Sequence, residues 1–305
     1  MSSVKLGVTL PQFSDDPARL TDAVQAIEGM DLDSVWVFDH LWPLSGGKER
    51  PIFEAWTTLA WLASITERVS VGTLVSRSSL RHPALLAKMA ATVASIAPDR
   101  VIVGIGSGDD LSRDENEAFG IQYFESDDRI DQLRSVVEAV VNHLRLDKVT
   151  LEDDFVHLNG LPTSPMPAIP PPVWVGGRSD DTLEIAATLA DGWNGWGGTA
   201  SRFAEDAGTV VEMAGERPLE LSWGGQLVLR QTQGAAEEAL GKHDPDQHVT
   251  GDPESVGARL NGYIDAGATH LILTPAGRWD LDTVELLAAE VRPLLHPPKR
   301  SDFRS

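Results

Sequence analysis

Residues 83–109 read PALLAKMAATVASIAPDRVIVGIGSGD and contain one complete structural unit. The segment Pro83–Ala97 carries apolar residues at the spacing of an amphipathic helix, and Val101–Ile105 is a short uninterrupted apolar run. Such a run is typical of a strand in a parallel sheet that is covered on both faces. The stretch therefore predicts a helix, then a buried parallel strand, then a glycine-rich loop at the carboxyl end of that strand.

The same alternation continues in both directions along the chain. Candidate strands are Val4–Leu10, Ser34–Phe38, Val69–Thr73, Val101–Ile105, Val173–Val175, Gly192–Gly195, Ser222–Leu229 and His270–Thr274. Amphipathic segments follow them at Pro17–Met30, Glu54–Thr66, Pro83–Ala97, Asp127–Leu144, Thr182–Ala190, Ala200–Met213, Pro253–Ala266 and Leu281–Leu294. This strict alternation predicts an α/β fold closed into a (β/α)₈ TIM barrel, with an open doubly wound sheet as the alternative.

One segment interrupts the alternation. Residues 146–172 are first polar and then rich in proline, with the run PTSPMPAIPPP, and proline continues neither a helix nor a central strand. We therefore expect an insertion that runs over the barrel. The chain is otherwise predicted to form a single domain over residues 1–296, followed by a frayed tail at 297–305.

The composition excludes several classes of function. The 305 residues carry a net charge of −21 and include no cysteine, which excludes disulfides, thiolate catalysis and cysteine-based metal sites. An acidic surface repels phosphate backbones, so we expect no nucleic-acid partner. The sequence has neither an apolar run of membrane-helix length nor the pattern of a secretory signal. These features favour a cytoplasmic protein that acts on small molecules, with no metal site.

In a barrel of this kind, functional side chains lie at the carboxyl ends of the strands. Asp39, His40 and Trp42 follow the second candidate strand, where an acid beside a histidine can orient an imidazole for proton transfer. The alternative is an Asp–His pair that only caps a loop. Trp42 is either a wall that faces the substrate or ordinary packing.

Two glycine-rich loops follow later strands. The first consists of Gly106, Ser107, Gly108 and Asp109, and its glycines would let a flat ring or a phosphate approach the backbone. Its spacing differs from that of the dinucleotide-binding fingerprint, and its aspartate is an acid, an acceptor or a loop carboxylate with no role. The second consists of Gly176, Gly177 and Arg178 at the start of a helix, which predicts an anion site.

Further acids follow the first glycine-rich loop. Together with Asp109, these acids are Asp110, Asp114, Glu115 and Glu117. Carboxylates are favourable near a helix N-terminus. We interpret these residues as helix-start carboxylates and as part of a solvated face.

Taken in order, these motifs resemble the bacterial luciferase-like monooxygenase superfamily, in particular the branch that uses the deazaflavin coenzyme F420. The resemblance covers nearly the whole chain. It is carried by Leu6–Gln12, Ser34–His40, Gly72–Ser76, Arg100–Asp109, Pro172–Gly177, Ala190–Asn194 and Gly251–Val256.

The resemblance implies a coenzyme in the mouth of the barrel. Asp39 and His40 would lie beside its ring, with His40 polarising or protonating the substrate, and the loop Gly106–Asp109 would lie against the ring face. A cis bond between Thr73 and Leu74 would form a bulge behind the ring. Ser76 would contact the ring or the tail. The loop Gly176–Arg178 would hold the phosphate end.

Two departures from the family pattern bear on the substrate. Asp109 is one methylene shorter than the glutamate that acts as the acid in the glucose-6-phosphate dehydrogenase branch. The lysines with which that branch binds sugar phosphate are not evident here, since the chain has six lysines and none falls in a matching strand-end motif. The resemblance therefore argues against a sugar-phosphate substrate.

The leading hypothesis is an F420-dependent oxidoreductase that transfers a hydride between the coenzyme and a small organic substrate. The alternatives are an FMN-dependent monooxygenase of the same fold, which would use reduced flavin and O₂, and a non-catalytic flavin- or ligand-binding homologue. Related barrels often dimerise. The apolar segment Phe53–Ile65 is a candidate homodimer interface, although burial within the monomer explains it equally well.

Overall fold

The computed structural model describes residues 3–43, 47–277 and 279–298, without the side chain of Ser126. Within them, eight parallel strands close into a barrel, because the eighth strand pairs with both the seventh and the first. In chain order they are Lys5–Thr9, Ser34–Val37, Ser70–Thr73, Val101–Gly106, Val173–Gly176, Gly192–Trp196, Glu220–Leu229 and His270–Pro275. The predicted (β/α)₈ barrel is confirmed. The single domain over residues 1–296 stays a prediction, and most of the expected tail, from residue 299 onward, lies outside the described residues.

Helices cover the outer side of the strands. They are Pro17–Glu28, Ala55–Ile65, Pro83–Ile96, Arg113–Ala118, Ser126–Arg145, Asp180–Leu189, Ala200–Ala214, Gln233–Leu240, Pro253–Asp265 and Leu281–Leu286. The last continues through a π turn at Leu287–Val291 and a 3₁₀ turn at Arg292–Leu294. Asp16 and Asp252 cap the helices that follow them, and each is followed by a proline at the first helical position. Among the described helices, none has the length and apolar character needed to cross a membrane.

The insertion contains a β-hairpin that the sequence analysis missed. Lys148–Glu152 pairs with His157–Pro162 as a separate antiparallel sheet. Val149 and Leu158 of the hairpin pack with Ala139 of a barrel helix in a small buried cluster. The insertion therefore packs against the outer layer of helices, and only its proline-rich part lacks regular structure.

Two further short strands extend the main sheet. Ser76–Arg77 pairs with the fourth barrel strand, and His248–Gly251 pairs with the last four residues of the seventh. The first of them continues the chain directly after the third barrel strand. It therefore carries the residues of the Thr73–Ser76 loop to the mouth of the barrel.

The lower interior of the barrel is filled by aromatic side chains. Trp36 stacks on Trp174 with ring centroids 5.3 Å apart, and the ring of His270 meets both at their edges. His270 is fully buried, and its Nε2 lies 2.7 Å from the hydroxyl of Ser34. This cluster lies towards the amino ends of the strands, where side chains serve stability rather than chemistry.

We expect the protein to lose stability when the pH falls from 7 to 5. Burial lowers the pKa of His270 to about 3, and the charges of Lys5 and Arg292 act in the same direction. Below about pH 6.5 the unfolded chain therefore binds a proton at this histidine, whereas the folded chain does not. This difference lowers the free energy of unfolding by about 2 kcal/mol between pH 7 and pH 5. Urea titrations at both pH values check it. In His270→Gln the fall in the free energy of unfolding between the two pH values should be smaller by about that amount. An unchanged fall would contradict the assignment of this pH dependence to His270.

Candidate active site

His40 is held at the mouth of the barrel by a carboxylate from a distant part of the chain. Its Nδ1 lies 2.9 Å from Oε2 of Glu115, 75 residues away. The other oxygen of Glu115 accepts hydrogen bonds from the N–H groups of Leu41 and Trp42. Because an ionised carboxylate only accepts, Nδ1 of the neutral imidazole carries the proton and Nε2 is the free nitrogen. The His40 side chain is 18% exposed, so Nε2 is the atom that can exchange a proton with a ligand.

Two buried arginines balance the negative charges of the acids around His40. Arg77 Nη2 lies 3.0 Å from Oε1 of Glu115. Arg81 donates to both oxygens of Asp39, at 2.5 and 2.9 Å, and also contacts Glu54. The side chains of Arg77 and Arg81 are only 4% and 10% exposed, so these are ion pairs shielded from water. Sequence reasoning had identified neither arginine, since no local pattern marks them.

The contacts of Glu115 keep this acid ionised. Burial by itself would raise the pKa of Glu115, but hydrogen bonds from His40 and the Leu41 N–H, together with the charge of Arg77, outweigh it and lower this pKa. Burial would likewise lower the pKa of Arg81, but its bonds to Asp39 raise it. At neutral pH, Glu115 is therefore a charged acceptor that fixes the orientation of His40.

Asp39 does not orient His40, although it precedes it in the sequence. The side chain of Asp39 is fully buried, and both of its oxygens are bound by Arg81. Both oxygens therefore already accept hydrogen bonds from Arg81, and contact between Asp39 and a coenzyme ring stays a prediction. The orienting acid is Glu115, which is 0% exposed, so its interpretation as part of a solvated face is wrong.

The loop after the third strand differs from the expectation in two respects. The cis peptide bond joins Leu74 and Val75, one residue beyond the expected Thr73–Leu74 bond. The Ser76 hydroxyl is fully buried, where it donates to Thr73 Oγ1 at 3.1 Å and accepts from the Trp56 indole at 2.9 Å. Thr73 and Ser76 thus fix the loop from within, and their contact with a coenzyme stays a prediction. Val75 is the partly exposed residue of this loop.

Val75 explains the glycines of two neighbouring strands. A Cβ atom at Gly104, Gly106 or Gly176 would lie 2.9, 2.6 or 2.9 Å from the Val75 side chain. These separations are shorter than any normal carbon–carbon contact, so a larger residue at these positions would displace Val75. Gly106 and Gly176 therefore make room for a side chain of the protein itself, and their contact with a coenzyme stays a prediction.

Asp109 lies on the exposed rim of the mouth. Its Oδ1 accepts hydrogen bonds from the N–H and the hydroxyl of Ser112, at 3.1 and 3.0 Å, and so caps a short 3₁₀ turn. The Ser107 hydroxyl donates to the Gly108 carbonyl at 3.0 Å. Gly108 has φ 73°, a left-handed conformation that glycine adopts without strain. The structure shows a capping role for Asp109, and its role as an acid stays a prediction.

Trp42 lies on the same rim. The Nζ atom of Lys48 lies 4.1 Å from the centre of its ring, and Phe119 meets the ring at its edge. The charge of Lys48 is matched by Asp114 at 3.1 Å. Contact between Trp42 and a substrate stays a prediction.

Arg178 lies just before the helix Asp180–Leu189, as expected, and is held by other parts of the chain. Its Nε donates to Asp206 at 2.7 Å, and its Nη1 donates to the carbonyls of Trp196 and Gly197 at 3.2 and 3.1 Å. Its Nη2 is buried and has no partner. A buried guanidinium N–H without an acceptor is costly, so this atom fits an anionic group of a ligand. Across the described parts of the chain, no cluster of three or more histidines and acids suits a metal ion.

A family model described as luciferase-like monooxygenase matches residues 2–286. The chain belongs to the luciferase-like monooxygenase family. This luciferase-like protein is 28% identical to an F420-dependent glucose-6-phosphate dehydrogenase of Kineococcus radiotolerans, over 96% of this chain and 98% of the relative.

Solved structures similar to this luciferase-like protein include proteins named for different reactions. One is an F420-dependent secondary alcohol dehydrogenase in complex with an F420–acetone adduct, with a TM-score of 0.84 and 18% identity over 97% of this chain and 100% of that chain. Another is the monooxygenase RslO1 from Streptomyces bottropensis, with a TM-score of 0.79 and 19% identity over 95% and 99% of the two chains. At these identities the likeness shows the fold alone.

Proposed function

We propose that this protein is an F420-dependent oxidoreductase that transfers a hydride between the deazaflavin coenzyme and a small organic substrate. The observation that carries the proposal is the His40–Glu115 pair, which leaves one imidazole nitrogen free at the mouth of the barrel. Oxidation of an alcohol releases a hydride from carbon and a proton from oxygen, so the site needs a proton acceptor. Relatives that match the whole chain are named for F420, which supports this coenzyme.

The residues at the mouth fit such a coenzyme. The unpartnered Nη2 of Arg178, beside the start of the helix Asp180–Leu189, suits the phosphate end. Val75 supplies a partly exposed apolar surface for a flat ring. When bound, the deazaflavin accepts or donates the hydride. Glu115 then keeps the proton of His40 on Nδ1, and Nε2 takes the proton of the substrate hydroxyl during oxidation and returns it during reduction.

We expect F420 to bind about tenfold more tightly than FMN, or better, which corresponds to at least about 1.4 kcal/mol. Titration of each coenzyme by quenching of tryptophan fluorescence checks this, since Trp42 and Trp196 lie at the mouth and Trp196 is 38% exposed. Tight binding of FMN without binding of F420 would contradict the proposal and favour the FMN-dependent monooxygenase. Binding of neither would favour a non-catalytic homologue with another ligand.

Arg178→Ala is expected to raise the dissociation constant of F420 about 10- to 150-fold, the cost of losing 1.5–3 kcal/mol of hydrogen bonding to a charged group. Arg202→Ala is the matched control. Arg202 also pairs with Asp206, at 3.0 Å, but its side chain is 55% exposed. Equal effects of the two variants would mean that Asp206 pairing, rather than an anion contact, determines the affinity.

Further parts of the proposal concern the setting of the reaction. We propose that the protein acts in the cytoplasm on a dissolved small molecule and without a nucleic-acid partner. The helix Ala55–Ile65 stays a candidate homodimer interface, because Trp61 and Ile65 are only partly buried. Light scattering of the purified protein tests the dimer.

A further inference from the structure

Aromatic rings from opposite walls of the barrel meet across its mouth. Phe38 follows the second strand and Trp196 ends the sixth, yet their ring centroids lie 6.0 Å apart, edge to face. Phe13, in the loop after the first strand, lies 6.2 Å from Phe38. We call these three residues, Phe13, Phe38 and Trp196, the aromatic strip.

The direction of Trp196 follows from the alternation along its strand. Trp193 packs on Phe203 of an outer helix, with ring centroids 5.2 Å apart, so its side chain points away from the barrel. Trp196 comes three residues later and therefore points inward. Gly224 of the neighbouring strand makes room for it, since a Cβ there would lie 2.8 Å from the Trp196 ring. Trp196 remains 38% exposed, so the ring faces the open mouth.

The middle of the strip is fixed by a buried glutamine. Gln12 accepts a hydrogen bond from the Phe38 N–H at 2.8 Å and donates to the carbonyls of Phe38 and Phe53 at 2.8 and 2.6 Å. This arrangement holds the Phe38 backbone in place before any ligand arrives. A preformed apolar surface binds a matching group without a cost for ordering its own side chains.

Among the described residues, the charged side chains next to the strip are bound by other groups of the protein. Arg178 contacts the Trp196 carbonyl, but its Nε is bound by Asp206 at 2.7 Å, and its Nη2 is assigned above to the phosphate end of the coenzyme. Asp39 follows Phe38 directly, but Arg81 binds both of its oxygens. Polar groups at the ends of the first and eighth strands are the uncharged hydroxyls of Thr9 and Thr274, which bond to each other at 3.1 Å.

We propose that the substrate is an uncharged alcohol or carbonyl compound whose apolar chain or ring packs against the aromatic strip. This inference rests on the proposed function, because the reacting carbon must also meet the coenzyme. In the oxidation, the substrate C–H bond gives its hydride to the deazaflavin, the O–H bond gives its proton to His40 Nε2, and a C=O bond forms. Reduction of the carbonyl compound reverses each transfer. A phosphorylated sugar would instead place charge and hydroxyl groups against three aromatic rings.

The test is the affinity of a homologous series of ketones for the protein loaded with F420. We expect the dissociation constants of 2-butanone, 2-hexanone and 2-octanone to fall by up to about fourfold for each added methylene. Acetophenone should bind at least as tightly as 2-hexanone, and glucose 6-phosphate should bind more weakly than 2-octanone. Calorimetry measures the binding, and the rate of F420H₂ oxidation measures the specificity on the same preparations.

Variants distinguish a loss of contact with the aromatic strip from a general disturbance of the fold. Trp196→Ala should reduce the gain per methylene to less than twofold, while Trp196→Phe should retain most of it. Met213→Ala removes an exposed apolar side chain from an outer helix and should leave the series unchanged. Phe13→Ala provides a second test at the other end of the strip if Trp196→Ala does not fold.

The same series on the protein without coenzyme distinguishes this inference from the proposed function. If F420 does not bind, the proposed function fails, but dependence on chain length would still show that the strip binds apolar groups. If F420 binds and the ketone affinities do not depend on chain length, the strip is not the substrate surface. Tighter binding of glucose 6-phosphate than of 2-octanone, or an unchanged slope in Trp196→Ala, would also overturn the inference.

Discussion

Turnover of His40→Ala saturated with coenzyme is expected to fall about 10²- to 10⁴-fold, the usual contribution of a positioned acid–base group. Alanine removes Nε2, the imidazole nitrogen that is free to exchange a proton with the substrate. The affinity for F420 should change little, because Arg178 and Val75 remain. Single-turnover hydride transfer, the dissociation constant of F420 and the melting temperature should all be measured on one preparation.

The matched control for this variant is His157→Ala. His157 lies on the hairpin of the insertion, and its side chain is 67% exposed. Its replacement should leave the rate, affinity and melting temperature near their original values. A saturated His40→Ala protein that transfers hydride at the wild-type rate would remove His40 from the mechanism, and Asp109 would become the next candidate.

Glu115→Ala is expected to lower the free energy of unfolding by about 3–5 kcal/mol, the usual cost of removing one partner of a buried ion pair. Alanine would leave the guanidinium of Arg77 without its acid and the N–H groups of Leu41 and Trp42 without an acceptor. Urea denaturation measures the loss. Glu117→Ala, an exposed position on the same short helix, is the control and should change stability by less than about 0.5 kcal/mol.

Glu115→Gln separates stability from chemistry. The amide can still accept from Leu41, but its NH₂ group donates to His40 Nδ1, so the imidazole must carry its proton on Nε2. We expect this variant to fold with a smaller loss of stability than Glu115→Ala and yet to lose turnover as His40→Ala does. Wild-type turnover in Glu115→Gln would contradict the positioning role of Glu115.

The barrel strands and the helices around them could be predicted because each is encoded locally. An apolar run such as Val101–Ile105 indicates a buried strand without reference to the rest of the chain. The hairpin was missed although Lys148–Glu152 alternates polar and apolar residues, because the prolines that follow dominated the interpretation. The helix Gln233–Leu240 was missed because it is short and mostly exposed, so its apolar stripe is weak.

The site could be predicted only in part. His40 and Arg178 lie within three residues of the carboxyl ends of barrel strands, and the fold brings such residues to the mouth. Glu115 could not be identified, because its partner lies 75 residues away and its neighbours in the sequence are solvated acids. From the sequence alone, the adjacent Asp39 was interpreted as the acid that orients His40. In the fold, Asp39 is bound instead by Arg81, which carries no sequence signal of its own.

The side chain of Val75 also determines how this barrel can be redesigned. The three atoms nearest to a Cβ at Gly176 would all belong to Val75, whereas a Cβ at Gly104 would also lie 2.2 Å from the Thr73 carbonyl oxygen. A smaller residue at position 75 would therefore release Gly176 but not Gly104. A shorter side chain at position 75 would deepen the mouth of the barrel, and alanine at position 176 could then raise the free energy of unfolding, since alanine restricts the unfolded chain more than glycine does. The depth of the mouth and the stability of the fifth strand are thus adjusted together, whereas Gly104 must remain glycine.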